Sequence, residues 1–131
     1  MKILHYINFV IIILLLAGIC VAEEVVVSGS LKQVQTNCLE IEKIVDEREN
    51  LKNMEVVLAV DNLEYNWGED EKNMCYMVNH KSVQEIGSEI AKLKMYIADD
   101  DVANFRVSIQ VIKLHCHDYL HFMGANMHNV L

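Results

Sequence analysis

The densest group of side chains that could do chemistry lies in the run His115-Cys116-His117-Asp118-Tyr119-Leu120-His121. On a helix, His117 and His121 stand one turn apart on the same face, which is the spacing that zinc proteases use in the motif H-E-x-x-H. Asp118 replaces the glutamate of that motif, and its shorter side chain would not reach a metal-bound water in the same way. A catalytic zinc also needs a third ligand and an open position. The sequence gives no reason to place the other candidate ligands nearby, namely His80, His115 and His128.

Metal binding by His117 and His121 is therefore an alternative hypothesis, and we predict no catalytic residue, cofactor-binding residue or metal ligand. The sequence lacks the nucleophile motif G-x-S-x-G and the phosphate-binding motifs G-x-x-x-x-G-K and G-x-G-x-x-G. We expect the protein not to be an enzyme and to use no cofactor.

Three cysteines follow the first 22 residues: Cys38, Cys75 and Cys116. An odd number leaves at least one thiol free or paired between chains. Each of them lies on or beside an apolar stripe, so we expect all three to be buried as small apolar side chains. Their redox state stays open.

Residues 3–22 form an apolar stretch interrupted only by His5 and Asn8. About 20 such residues span the hydrocarbon core of a bilayer. Lys2 and the amino terminus precede the stretch and acidic residues follow it, which favours a cytoplasmic amino terminus. We predict a transmembrane anchor in residues 1–22 and an extracytoplasmic helical domain in residues 23–131, held at the cell membrane.

The same stretch is also typical of a signal peptide, because Cys20-Val21-Ala22 resembles a cleavage site with small residues. Cleavage after Ala22 would give a secreted protein, and this alternative stays open. Lipidation of Cys20 is not expected, because bulky Ile19 stands where a small residue is needed.

Acidic residues dominate the surface-forming part of the chain. All 19 Asp and Glu residues, and all of the 11 Lys and Arg residues except Lys2, follow residue 22, so this part carries a net charge of −9 with neutral histidine. A nucleic-acid partner needs basic side chains to neutralise its phosphates. We therefore predict no nucleic-acid partner.

Four segments carry apolar residues at alternating steps of three and four, which is typical of helices packed at shallow angles. The expected fold is all-α: an antiparallel bundle of about four helices after the hydrophobic helix. The predicted bundle helices cover residues 30–47, 51–79, 82–98 and 101–122.

Local signals refine these helix boundaries. Ser30 and Ser82 each open a capping box, with Gln33 and Glu85 three residues on. Asp100 or Asp101 is expected to cap the last helix. We predict a kink or short break at 67–70, because Gly68 weakens a helix and Asp70 interrupts the apolar stripe.

The order of these elements resembles the bacterial family known as domain of unknown function 4363. The resemblance covers nearly the whole chain and depends on a membrane segment, Trp67, Asn79-His80, the run Ser88–Ile97, the acidic turn Asp99–Asp101 and the ending Asn129-Val130-Leu131. It implies a small helical protein with a membrane segment, and it brings no catalytic residues. The cysteines, and the histidines after Leu114, depart from the family pattern.

Our leading hypothesis is a non-enzymatic, membrane-tethered module that binds another protein or its own copy. Heptad-like apolar stripes often continue into partner helices. If the four stripes instead close on one another within one chain, they leave no such interface.

Overall fold

The computed structural model describes the backbone of residues 1–78 and 80–128, and the side chains of these residues except Lys2 and 125–128. Within those ranges the chain forms helices, turns and bends, with no strand. The four helices are α1 (Lys2–Arg48), α2 (Met54–Met74), α3 (His80–Asp99) and α4 (Val102–His128). The predicted all-α fold with a hydrophobic first helix and a small helical bundle is confirmed.

The four helices form a closed square. α1 and α3 each pack against both α2 and α4, so chain neighbours are also neighbours in space and the bundle runs up, down, up, down. The predicted apolar stripes face inward. Their shared core consists of side chains exposed by no more than 4%, chiefly Val27, Leu31, Val34, Cys38, Ile41, Val45, Leu51, Val56, Val60, Leu63, Trp67, Met74, Val83, Ile86, Ile90, Leu93, Phe105, Ile109, Ile112 and Cys116.

The first helix corrects the predicted starting point at residue 30. α1 continues without a break from the apolar stretch into the bundle, so the hydrophobic helix and the first bundle helix are one element of 47 residues. Ser30 therefore lies inside the helix and caps nothing. A capping box forms only where the preceding residues leave the helix, and burial of Val27 gives those residues a packing reason to stay helical. Ser82 likewise lies inside α3, which begins at His80.

The break expected at 67–70 is also wrong. α2 passes through Gly68 and Asp70 as a regular helix, because Trp67 is buried beside them and packing outweighs a weak local propensity. α2 ends at Met74 and not at 79; Asn79 itself lies outside the described residues. Met77 is 39% exposed in the following turn.

The cap of α4 confirms the prediction for Asp101. Its Oδ1 accepts a hydrogen bond from the backbone N–H of Asn104 at 3.1 Å, and this bond holds the pKa of Asp101 below its ordinary value. Asp100 adopts a left-handed conformation with φ 54°. The backbone N–H groups of Asp100 and Asp101 donate to the carbonyls of Ile97 and Tyr96, so a Schellman motif ends α3.

Polar contacts fix the alignment of α1 with α4. Arg106 Nη1 lies 2.6 Å from Asp46 Oδ1, and Lys113 Nζ lies 2.7 Å from Glu42 Oε2. Gln110 donates to the other oxygen of Glu42. Such partly exposed pairs add little stability. They do define which residues of the two antiparallel helices stand opposite each other.

A partly buried network joins α3 to α4. Ser108 is 2% exposed, and its hydroxyl donates to Glu89 Oε2 at 2.8 Å, while Lys92 Nζ lies 2.6 Å from Glu89 Oε1. Desolvation is the largest influence on Glu89 and raises its pKa. The hydrogen bonds from Lys92 and Ser108, with the charges of Lys92 and His115, outweigh it and leave the pKa of Glu89 lowered. This carboxylate is therefore held in its charged form between the two helices.

Close packing of α2 against α3 depends on Gly87. A Cβ atom added there would lie 2.8 Å from Nε1 of Trp67, closer than real contacts allow, and the indole is itself 3% exposed. Gly68, by contrast, has nothing within 4 Å of its added Cβ. Close packing therefore requires a glycine at position 87, whereas position 68 has room for a larger side chain.

This difference predicts opposite effects for two identical substitutions. Gly87→Ala should destabilise the fold by about 1 kcal/mol or more, because the overpacking cost exceeds the gain in helix propensity. Gly68→Ala should stabilise it by up to about 1 kcal/mol, because only the propensity changes. Urea unfolding of the full chain in detergent, followed by circular dichroism, measures both. Equal shifts of the same sign would contradict the proposed close contact.

Candidate functional site

The apolar part of α1 is the most distinctive surface of the chain. It is long and apolar enough to cross a membrane, and almost none of it is buried against the rest of the protein. Side chains around the whole circumference are exposed, from Ile3 to Val21. Such a segment fits a single-pass membrane protein or a signal sequence.

The structure places His117 and His121 together, as their spacing predicted. Their rings stack with centroids 6.3 Å apart and planes 9° from parallel, and both side chains are exposed. His115 points elsewhere, with Nδ1 3.9 Å from Glu85 Oε2 of α3. Among the described residues no three His, Cys, Asp or Glu side chains gather in a way that could hold a metal ion. The side chain of His128, another candidate ligand, lies outside the described residues.

An open groove between α3 and α4 contains part of this polar region. It has a volume of about 320 Å³ and is lined by Ser82, His115, Asp118, Tyr119 and Phe122. Its walls combine the exposed side chains of Asp118 and Phe122 with the half-buried side chains of Ser82, His115 and Tyr119. The arrangement offers a shallow surface, and among the described residues it contains no group of three side chains that could hold a metal ion.

Two of the three cysteines are buried as predicted. Cys38 and Cys116 are completely inaccessible, and burial raises the pKa of each thiol to about 12. The proximity of Cys116 raises the pKa of Cys38 further, which agrees with their facing positions in the α1–α4 alignment. The prediction was wrong for Cys75, which lies partly exposed in the turn after α2. All of these thiols are free.

A second apolar face of α4 was not predicted from the sequence. Val107, Val111 and Leu114 lie together with Arg106 and Gln110 along an open groove on the outside of the bundle. Val107 and Leu114 are 59% and 56% exposed. We call Val107, Val111 and Leu114 the outer α4 face. Its signal was present as a second apolar spacing of four and three residues, on the side of the helix away from Phe105 and Ile109.

Comparison with known proteins gives a family. The family model described as Domain of unknown function (DUF4363) matches residues 25–130, which is most of the chain. The chain therefore belongs to this family, as the resemblance in its sequence implied. No curated protein and no solved structure was found to match it. The match begins inside α1, after the apolar segment, and covers the whole bundle.

The burial of the thiols predicts a selective reactivity. A charged, water-soluble disulfide reagent should modify Cys75 within minutes in the folded protein, whereas Cys38 and Cys116 should react only after unfolding, because a thiol with a pKa near 12 carries almost no thiolate at pH 8. Mass spectrometry of peptides before and after addition of denaturant locates the label. Cys20 is also free and exposed, so the experiment is done in a Cys20→Ser background, where the variant Cys75→Ser serves as the control and should lose the fast phase. Rapid labelling of Cys38 in the native protein would contradict the described packing.

Proposed function

We propose that this member of the family is a membrane-tethered, extracytoplasmic helical module without enzymatic activity, and that it acts by binding a protein partner. The observation that carries the proposal is the continuity of α1, which joins an exposed apolar segment directly to the bundle core. The acidic residues after the segment and the Lys2 before it favour an amino terminus in the cytoplasm.

Continuity of α1 favours an uncleaved anchor over a signal peptide. Ala22 lies within a continuous helix that leads directly into the bundle. Cleavage after Ala22 would also make residues 23–26 the first turn of a newly created helix end, where backbone N–H groups have no intrahelical partner, directly before the core residue Val27. Both effects favour retention of residues 1–22 in the mature protein.

If the protein binds a partner, it does so through a surface other than the heptad-like apolar stripes that the sequence suggested. The core stripes of all four helices close on one another within the chain, so they offer no seam to a partner. The outer α4 face remains exposed, and its spacing of four and then three residues is that of a coiled-coil seam.

A second copy of the chain is the simplest partner for the outer α4 face. Two copies anchored in one membrane stand parallel, which places their α4 helices parallel as well. With Val111 and Leu114 at successive seam positions, the β-branched residue and the leucine occupy the places that favour two-stranded parallel pairing. The seam is short, so we expect weak association that depends on concentration within the membrane.

The anchor is tested by placing charge in the apolar segment. The variant Ile12→Arg with Leu15→Arg should be lost from the membrane fraction, because each arginine near the bilayer centre costs about 2.5 to 3.5 kcal/mol. Leu39→Arg with Leu58→Arg is the matched control, since these leucines are exposed on the bundle at 56% and 54%. Cell fractionation with carbonate extraction, followed by intact mass, is the measurement. A wild-type mass beginning at Glu23, found in the soluble fraction, would refute the anchor.

The partner is tested by crosslinking in native membranes. A photoreactive phenylalanine analogue at Leu114 should give a product of twice the chain mass, because it lies on the outer α4 face. The same analogue at Met95, which is 62% exposed on α3, should give none. The absence of a product from position 114, or equal products from both positions, would refute pairing through this face.

A further inference from the structure

We infer that the bundle contacts the bilayer directly, through the end formed by the turn between α2 and α3 and by the last turns of α4. This inference rests on the proposed anchor in α1. It adds a lipid-contact surface made of Tyr76, Met77 and Phe122, which belong to the bundle and lie far from the anchor in sequence. We call these three residues the membrane-proximal cap.

The distance from the anchor to the core is short and fixed. The apolar stretch ends at Ala22, and the first buried core residue is Val27. Five residues of continuous helix span about 7.5 Å. Because α1 has no break between these positions, the end of the bundle is held within the headgroup region of the bilayer and cannot swing away as it would on a flexible linker.

The turn between α2 and α3 lies at this same end. A small space in the core is lined by Val27 and Leu31 of α1 together with Met74, Val78, Ser82 and Tyr119. The turn at 75–78 therefore lies level with the first two core layers of α1. It is a tight turn, because the backbone N–H groups of Met77 and Val78 both donate to the carbonyl of Met74, at 2.8 and 3.0 Å.

The register of α4 brings its final turns to this end as well. Lys113 stands opposite Glu42, and α4 ends fifteen residues later at His128. In an antiparallel pair, that end lies level with a position about fifteen residues before Glu42, which is close to Val27. Phe122 lies six residues before the end of α4 and lines the groove that also contains Ser82.

The side chains at this end suit a lipid interface. Tyr76 is 93% exposed, so the bundle leaves an aromatic ring uncovered near the level where the anchor enters the membrane. Phe122, which is 66% exposed, adds a second ring at the same end of the bundle, about 9 Å farther out along α4. Tyrosine is enriched at the headgroup level, since its ring is apolar and its hydroxyl stays hydrated. The acidic character of the domain disfavours anionic lipids. The contact is therefore aromatic and apolar, and a zwitterionic bilayer is sufficient for it.

Tryptophan reporters in full-length protein test the inference, with phosphatidylcholine vesicles that carry bromine atoms near the headgroup or deep in the acyl chains. Tyr76→Trp reports on the membrane-proximal cap. Tyr65→Trp is the matched control, because Tyr65 is 72% exposed on α2, the helix that leads into this turn, and lies nine residues before the end of α2, about 13 Å farther from the membrane. Ile12→Trp reports on the anchor. The emission of Trp67 in the parent protein is subtracted, and circular dichroism verifies the fold of each variant.

We expect shallow bromines to reduce the emission of Tyr76→Trp, with a blue shift on addition of vesicles, and to leave Tyr65→Trp unchanged. Deep bromines should quench Ile12→Trp. Quenching of Ile12→Trp without any effect on Tyr76→Trp would overturn the lipid contact and leave the anchor intact. Failure to quench Ile12→Trp would overturn the anchor and the contact together.

Discussion

The continuity of α1 is the constraint on which the other features depend. One helix is apolar around its whole circumference in its first half and apolar along a single stripe in its second half, with the change close to Glu23 and Glu24. The first half is compatible with the hydrocarbon region of a bilayer. The second half faces the protein core with its apolar stripe and water with its polar side. Since no linker separates the two halves, the core begins where the apolar segment ends. The helices α2 and α4 therefore pack against α1, whose direction is already determined by its apolar half.

The apolar stripes of the four helices pack against one another in one core, and the bundle therefore needs few polar interactions for its stability. Each helix buries its stripe against two neighbours, and the polar contacts between α1 and α4 or between α3 and α4 lie at the edges of those interfaces. Hydrophobic burial supplies the stability, whereas the edge contacts select one alignment of the helices over others. Side chains outside the core, such as those of the outer α4 face, can therefore be polar or apolar without loss of the fold.

The sequence predicted the helices well, because apolar spacing reports burial directly. The stripes of α3 and α4 and the cap at Asp101 were all correct. Local signals failed where packing overrode them: Ser30 and Ser82 have the form of caps but lie in continuous helices, and Gly68 did not break α2. The outer α4 face was not predicted, because the long apolar stripe on the buried side of α4 is more regular than the short apolar spacing on the opposite side of the same helix. The partial exposure of Cys75 depends on where α2 ends, which spacing defines poorly.

The tight fit between Trp67 and Gly87 has an optical consequence. Trp67 is the single tryptophan of the chain and is 3% exposed, so its fluorescence should be blue-shifted in the folded bundle and move to longer wavelength when α2 separates from α3. Among the described residues, no acceptor is bonded to its Nε1 atom. The absorption of the indole should therefore be that of a buried ring without a strong hydrogen bond. The chain carries its own spectroscopic reporter of the α2–α3 interface.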